Sequence, residues 1–286
     1  MKIYIVVVLY NCLLKDSHTV NSLFAMNLDK SALGHTVNVL LYDNGTMNNK
    51  NLYEDYSHFN YVLAKENLGL PGAYNYALQK ANDCAADWLL LLDQDTKLPA
   101  DYLEKLCKLV NPFCDSVNLV AAVPKMCYQN ILFSPSKVLY AGMMRPVEND
   151  FLGIYPKEIF AIGSCSLLKV KFLLEIGGFS EDYWLDSLDR WLYKQIQLHK
   201  RDVLISDIIV EHELSVMDYD KFVSESRYKN ILNYETKFME NHCSNFENFV
   251  FKIRLFLRSI KLFCTTKNKN FGLITAKHIF YSSPKI

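Results

Sequence analysis

Short apolar runs alternate with amphipathic segments over the first 125 residues of the chain. Five runs have the length and composition of buried strands, at residues 3–10, 36–42, 59–63, 88–92 and 119–123. Segments 71–81 and 99–110 carry apolar side chains at helical spacing instead. This alternation predicts an α/β fold with a mostly parallel, doubly wound sheet flanked by helices.

The pattern becomes less regular after residue 125. Strand-like and helical segments are expected, in turn, at residues 159–168, 169–176, 189–199 and 203–210. We expect one domain over residues 1–235, with halves at 1–125 and 126–235. A helical C-terminal extension is expected to follow over residues 236–286.

The run Trp88–Leu92 ends directly in Asp93, Gln94 and Asp95. A strand buried on both faces of a parallel sheet would deliver these side chains to its carboxyl edge, where open α/β sheets bind ligands. Two carboxylates one residue apart suit a divalent cation that carries phosphates, because hard cations take oxygen ligands. The alternative is a strand that ends in two solvated acids.

Three other predicted strands end in polar residues as well. They are followed by Tyr10-Asn11, by Asp43-Asn44-Gly45 and by the segment 67–75, which reads Asn-Leu-Gly-Leu-Pro-Gly-Ala-Tyr-Asn. Each could be an ordinary turn or helix start. If the sheet is parallel, however, all four groups line one crevice.

Taken as a set, these motifs resemble the inverting glycosyltransferases of family 2, which have the GT-A fold, on the bacterial polysaccharide side. The resemblance also includes Gly-Gly-Phe at 177–179 and Trp-Leu-Asp-Ser-Leu-Asp at 184–189, and it covers roughly residues 1–235. It implies transfer of a sugar from a nucleotide-diphosphate donor to a saccharide acceptor. Leu-Asp-Gln-Asp is frequent among relatives assigned as rhamnosyltransferases, which points to dTDP-rhamnose or a UDP-hexose and to O-antigen or capsule synthesis.

The resemblance also implies roles for individual residues. Those expected to bind the nucleotide sugar are Tyr10, Asn11, Asp43, Asn67, Gly69, Asn75, Asp93, Gln94 and Asp95. Asp93 would face the ribose or the sugar, while Asp95 would bind Mg²⁺ or Mn²⁺. His212 would be a further metal or diphosphate ligand, although it could equally be a surface histidine between two acids. A bound cation neutralises the charge that develops on a diphosphate leaving group.

Inverting transfer needs a carboxylate that takes the proton of the acceptor hydroxyl. The family pattern places this base at Asp189, and Asp186 is a second candidate. Asp186 could instead cap the following helix. Arg190 and Trp191 depart from the commoner small-then-acidic pair after the base, which leaves acceptor recognition open.

The overall charge argues against a nucleic-acid partner, since Lys plus Arg and Asp plus Glu both number 31. A nucleotidyltransferase on a similar sheet is the enzymatic alternative, but the basic Gly-rich loop that it would need after the first strand is absent. A non-catalytic nucleotide-sugar-binding module is the other alternative. The presence of Asp93, Asp95 and Asp189 argues against it.

The C-terminal extension is basic. Residues 249–286 contain eight Lys and Arg residues and no Asp or Glu. Residues 249–264 form an amphipathic pattern, and its apolar stripe consists of Phe249, Ile253, Phe256, Leu257, Ile260 and Phe263. The stripe could lie in an anionic membrane surface beside a lipid-linked acceptor, or it could pack on the catalytic body. We expect a cytoplasmic protein with a peripheral contact on the inner face of the plasma membrane.

Overall fold

The computed structural model describes residues 1–26, 28, 34–45, 49, 56, 58–212 and 223–281. The chain forms two compact units. The first comprises Met1–Lys137 and Arg145–Glu213, and the second comprises Val138–Met144 and Leu214–Ile286. The predicted boundary at residue 235 falls inside the helix Glu225–His242, which belongs to the second unit. The division of the chain at residue 235 stays a prediction.

The first unit is built on a nine-stranded sheet. Its strands are β1 Lys2–Leu9, β2 Thr36–Asp43, β3 Asn60–Leu63, β4 Trp88–Asp93, β5 Leu119–Tyr128, β6 Ile131–Ser134, β9 Gly153–Ile154, β11 Leu167–Lys169 and β12 Asp202–Glu211. They lie in the order β3-β2-β1-β4-β11-β5-β12-β9, with β6 paired to β5. Strand β1 is parallel to β2 and β4, β2 is parallel to β3, and β5 is parallel to β12. Strand β11 is antiparallel to both of its neighbours. The predicted α/β fold with a mostly parallel sheet is confirmed.

The central strands are apolar on both faces because helices cover both sides of the sheet. Every residue of β4 before Asp93 is buried, as are seven of the eight residues of β1. Among the described residues of this unit, the α-helices are α1 His18–Ala25, α2 Gly69–Asp83, α3 Tyr102–Val110, α4 Val170–Glu175 and α5 Leu188–Leu198. Strands buried in this way end abruptly where the first polar residue appears.

The predicted strand at 159–168 is wrong in extent. Two short strands occupy its ends, β10 Ile159–Phe160 and β11, and β10 joins a small second sheet with β7 Ser136–Val138 and β8 Met144–Pro146. The chain turns between them, where Cys165 has a φ of 65°. Gly163 and Ser164 interrupt the apolar run, and these small residues permit the turn.

The described residues of the second unit form the helices α6 Glu225–His242, α7 Asn245–Thr265 and α8 Asn270–Tyr281. Helix α7 starts with a capping box formed by Ser244 and Glu247. Helices α7 and α8 approach closely at Gly272, where a Cβ would lie 2.8 Å from the carbonyl oxygen of Ser259. The Ser259 hydroxyl donates a hydrogen bond to the carbonyl of Gly272 at 2.8 Å. No helix among the described residues is long and apolar enough to span a membrane.

Candidate active site

The loop after β4 carries the residues at the centre of the site, and α1 fixes its shape. The hydroxyl of Thr19 hydrogen-bonds to the carbonyl of Asp93 and accepts a bond from the backbone N–H of Thr96 at 3.0 Å. The Ser17 hydroxyl donates to the carbonyl of Gln94 at 2.7 Å. Because its backbone is held at residues 93, 94 and 96, the loop presents its side chains in a fixed arrangement.

Gln94 links the ends of two neighbouring strands. Its side-chain oxygen accepts a hydrogen bond from the backbone N–H of Tyr10, just beyond β1, at 2.8 Å. Gln94 thereby fixes the backbone at Tyr10 and Asn11, two residues expected to contact the nucleotide. Tyr10 is 54% exposed and Asn11 is also exposed, with a left-handed φ of 49°.

Asp93, Asp95 and His212 come together as a candidate metal site. Each offers one ligand atom, and these atoms lie within 4.8 Å of one another. His212 follows β12 and is only 8% exposed, so it is not a surface histidine. Its Nδ1 lies 3.9 Å from Oδ1 of Asp95 and 3.1 Å from the hydroxyl of Thr96. Two carboxylates and one imidazole suit Mn²⁺ and also Mg²⁺, so the residues fit the expected cation.

Burial and the neighbouring acids make Asp93 a weaker acid than an ordinary aspartate. Burial, followed by the charges of Asp95 and Asp189, raises the pKa of this carboxyl to about 7. Two carboxyl groups so close together do not readily carry negative charges at the same time unless a positive charge lies between them. A divalent cation would supply that charge, and Asp93 would then be a ligand beside Asp95 and His212, the two ligands predicted from the sequence.

Asp189 faces the same cavity as Asp93 from the first turn of α5. The cavity is lined mainly by apolar and small side chains, those of Leu70, Tyr74, Leu91, Ile162, Gly163, Ser164, Phe179, Leu185, Leu188 and Leu192. Burial raises the pKa of Asp189 to about 6, although the backbone N–H and the charge of Arg190 lower it in part. Asp189 is therefore mostly ionised at neutral pH and more basic than an ordinary aspartate.

Asp186 is placed differently from Asp189. The helix cap is Ser187, which has a φ of 64° and makes no side-chain capping bond, so the alternative role predicted for Asp186 as the cap is wrong. Asp186 is partly buried, and among the described residues that line the cavity Asp189 is present and Asp186 is not. The geometry favours Asp189 as the base.

Asp43 is fully buried at the end of β2 and holds the adjacent turn together. Its carboxylate accepts hydrogen bonds from the N–H of Gly45 at 3.0 Å, from the side chain of Asn49 at 2.7 Å and from the hydroxyl of Tyr61 at 2.8 Å. A Cβ at Gly45 would lie 2.6 Å from the backbone nitrogen of Asn11. Asp43 thus shapes the edge on which Asn11 lies.

Asn67, Gly69 and Asn75 connect α2 to the segment before α5. Asn67 accepts a bond from the N–H of Gly69 at 2.9 Å, and a Cβ at Gly69 would lie 2.1 Å from the carbonyl oxygen of Trp184. The side chain of Asn75 bonds both the N–H and the carbonyl of Phe179, at 2.7 and 2.9 Å. These contacts fasten the two sides of the cavity together.

Three residues of the site were missed at the sequence level, namely Thr19, Thr96 and Ser164. The Ser164 hydroxyl accepts a bond from the N–H of Asp93 at 3.0 Å and lies 3.3 Å from the hydroxyl of Thr96. All three are buried. Ser164 interrupts an apolar run, which was a usable signal, whereas nothing local distinguishes Thr19 or Thr96 from surface threonines.

Comparison with known proteins supports these observations. A family model described as "Glycosyl transferase family 2" matches residues 4–177. No curated protein matches the sequence. The matched segment contains most of β1, the loop after β4 and the turn at Gly177, and it is more than half of the chain.

Solved structures share the fold at low sequence identity. GalNAc-T7, solved with UDP, GalNAc and Mn²⁺, matches with a TM-score of 0.64 and 13% identity over 99% of this chain and 56% of its own. The mannosyltransferase PcManGT from Pyrobaculum calidifontis, solved with GDP-Man and Mn²⁺, matches with a TM-score of 0.55 and 14% identity over 99% of this chain and 88% of its own.

TarS from S. aureus matches with a TM-score of 0.53 and 14% identity, over 95% of this chain and 45% of its own. This chain therefore spans about half the length of TarS and of GalNAc-T7. The fold common to these structures and the matched family model confirm the predicted family and GT-A fold. The chain belongs to glycosyl transferase family 2.

Proposed function

We propose that this protein transfers a sugar from a nucleoside-diphosphate donor to a saccharide hydroxyl, with inversion at the anomeric carbon. One observation carries the proposal: the cavity that holds Asp189 also holds Asp93, a member of the Asp93, Asp95 and His212 cluster. This arrangement supports Asp189 as the proton acceptor and the cluster as the diphosphate-binding site, with the sugar between them.

The chemical step follows from this arrangement. Asp189 accepts the proton of the acceptor hydroxyl while the hydroxyl oxygen forms a bond to the anomeric carbon. The bond from that carbon to the diphosphate breaks, and the nucleoside diphosphate leaves with the electron pair. Attack from the face opposite to the leaving group inverts the configuration.

Asp93, Asp95 and His212 would hold Mg²⁺ or Mn²⁺. When bound, the cation supplies the positive charge that neutralises the departing diphosphate. The hydroxyl of Thr96 orients the imidazole of His212, and Ser164 fixes the backbone of Asp93. A ligand set held in this way needs little rearrangement when the cation and donor bind.

Tyr10, Asn11 and Asp43 would form the nucleoside side of the donor site. The exposed ring of Tyr10 is available to contact a base, and Asp43 keeps the neighbouring turn in place. Asn67, Gly69 and Asn75 would shape the adjoining wall, and Gln94 would hold the strand ends in register. Asp186 is the second candidate for the base.

For the donor we propose dTDP-rhamnose or a UDP-hexose, on the strength of the Leu-Asp-Gln-Asp sequence. Neighbouring structures were solved with UDP-GlcNAc and with GDP-Man, so the fold accepts several nucleotides and sugars. For the acceptor we propose a lipid-linked saccharide of a bacterial surface polysaccharide, used at the cytoplasmic side of the plasma membrane.

The proposal is tested by a donor screen with purified protein. Release of nucleoside diphosphate is measured for dTDP-rhamnose, UDP-hexoses and GDP-mannose, with Mn²⁺, with Mg²⁺ and with a chelator. We expect cation-dependent turnover of one donor that Asp95→Ala abolishes, while Asp207→Ala, which removes an exposed acid of β12, leaves it intact. Binding of a donor without turnover of any acceptor would favour the non-catalytic module, and failure to bind any donor would refute the proposal.

A further inference from the structure

Helix α7 presents a large apolar face to solvent. Its six apolar stripe residues are all exposed, from 45% at Ile253 to 58% at Leu257. The stripe runs from Phe249 to Phe263, a length of about 21 Å along the helix axis. Single exposed apolar residues are common, but a continuous row of six on one helix face indicates a surface that contacts an apolar phase or partner.

The stripe is not the face by which α7 packs. The helix uses a different row, Phe251, Leu255, Ser259 and Leu262, all of which are buried. At 100° per residue this buried row lies roughly 140° around the axis from the stripe. The helix is therefore apolar on two sides, and the interior of the unit accounts for only one of them. Within the second unit, therefore, the helix packs by the buried row and not by the stripe.

Charge identifies the class of surface that the stripe fits. Exposed Lys252 and Lys261 lie on opposite flanks of the stripe, and residues 248–281 contain no Asp or Glu. Arg258, by contrast, faces away and pairs with Glu235 at 2.6 Å. An apolar face bordered by lysines suits an interface with anionic headgroups, where the apolar side chains enter the acyl boundary and the lysines contact the phosphates.

We propose that the stripe of α7 docks on a bilayer that contains anionic lipids. The helix lies in the plane of the interface, with Phe249, Phe256 and Phe263 among the side chains that enter it. This docking goes beyond sugar transfer and does not depend on it, because none of the stripe residues belongs to the candidate active site.

Vesicle flotation of the full chain tests the proposal without any donor or acceptor. The probes are vesicles of phosphatidylcholine alone and of phosphatidylcholine with about one third phosphatidylglycerol. We expect flotation with the anionic vesicles that weakens in high salt, because exposed charges are screened. Failure of the parent chain to float with either vesicle would overturn the proposal.

Two variants identify the surface. Leu257→Ser with Ile260→Ser should lower the partition coefficient at least about tenfold, because two apolar side chains leave the interface. The matched control is Leu198→Ser with Ile209→Ser, which removes similarly exposed residues from the first unit and should float like the parent. The double variant Lys252→Gln with Lys261→Gln removes two positive charges. It should weaken binding to the anionic vesicles by about thirtyfold and leave binding to the neutral vesicles unchanged.

Circular dichroism and thermal melting of each variant establish that it is folded. If the Leu257 and Ile260 variant floats as well as the parent, the stripe is not the docking surface. Membrane docking is also refuted if the parent does not float with vesicles and sediments as a dimer, while this variant sediments as a monomer. In that case a second copy of the chain, rather than a membrane, covers the face.

Discussion

The loop after β4 and helix α7 depart from ordinary burial in opposite directions. The cavity between this loop and α5 withdraws the carboxyl groups of Asp93 and Asp189 from water, whereas α7 leaves six large apolar side chains in it. In the loop the cost appears as raised pKa values and is contained by a network of hydrogen bonds. In α7 no comparable network exists among the described stripe residues, so the unfavourable contact of their apolar side chains with water is not offset.

The difference teaches how each region must be tested. Substitutions in the loop disturb several partners at once, since Thr19 and Ser164 both bond the backbone of Asp93, and the hydroxyl of Thr96 contacts that of Ser164. Substitutions in the stripe should change binding and little else. Variants in the two regions should therefore differ in what they change and by how much.

The largest effect is expected at Asp189. Asp189→Asn removes the proton acceptor but keeps the size and polarity of the side chain, so kcat should fall by about 10²- to 10⁴-fold. Donor affinity, measured by calorimetry, should stay within about twofold, because Asp189 is outside the proposed metal and diphosphate ligands. Asp186→Asn is the paired variant. If it loses the rate and Asp189→Asn keeps it, the base is assigned to the wrong aspartate.

The second effect tests the support behind the metal ligands. Thr96→Val is nearly isosteric and removes the hydroxyl that lies 3.1 Å from Nδ1 of His212. The affinity for Mn²⁺, followed by calorimetry, should fall about 10- to 100-fold, as it does when outer partners of metal ligands are lost. Thr236→Val removes a similar threonine–histidine bond, 2.8 Å from His278 in the second unit, and should have no effect. Equal losses in both variants would contradict a local role for Thr96.

The third effect concerns pH. Asp189 must be ionised to accept a proton and its pKa is about 6, so the rate should fall as the pH drops through 6. At pH 5 and saturating Mn²⁺, kcat should be about tenfold below its plateau. Steady-state rates between pH 5 and 8 measure this limb. A rate that does not change between pH 5 and 7 would rule out Asp189 as a base with this pKa.

The fourth effect appears in stability. The pKa of Asp93 is about 7 in the folded chain against an ordinary value of 3.8, so its ionisation opposes folding increasingly from about pH 4 to pH 7. Asp93→Asn should therefore stabilise the metal-free protein at pH 8 by about 1–2 kcal/mol, a discounted value because the side chain is only partly buried. Urea titrations at pH 4 and pH 8 measure it. The gain should be absent at pH 4 and should reverse when Mn²⁺ is added, and an equal gain at both pH values would contradict the ionic cause.

The smallest effect is expected in the stripe. Leu257→Ser with Ile260→Ser should change the free energy of unfolding by less than about 0.5 kcal/mol, because these side chains are exposed in the folded chain. Leu255→Ala, on the buried row of the same helix, should cost about 2–5 kcal/mol. Urea titrations compare the two. A large loss in the stripe variant would mean that the stripe is covered within the chain.

Much of the first unit was predictable because its strands are continuous apolar runs with polar ends. Trp88–Leu92 predicts both a buried strand and the position of Asp93 and Asp95. Antiparallel β11 was not predictable in the same way, since the turn that creates it depends on the small residues before Cys165 and on the space between β4 and β5. The meeting of His212 with Asp93 joins residues more than a hundred positions apart, and only the completed sheet brings them together.

Helix α7 shows a different limit of prediction from the sequence. Periodicity identified an apolar stripe but could not rank it against the row of Phe251, Leu255 and Leu262, because both rows are apolar. The choice between them depends on α6, α8 and the segment Val138–Met144, which contact α7 within the second unit. Tertiary contacts of that kind leave no local pattern.

Asn75 makes two hydrogen bonds to the backbone of Phe179, and Gly69 lies close to Trp184. These two contacts have a consequence for engineering. A chimera joined near residue 125 would take α2 from one parent and the segment 177–189 from the other. The incoming α2 would then need an asparagine and a glycine at these two positions, or the wall bearing Asp189 would shift. Exchanging donor specificity between relatives therefore calls for grafting both segments as a pair.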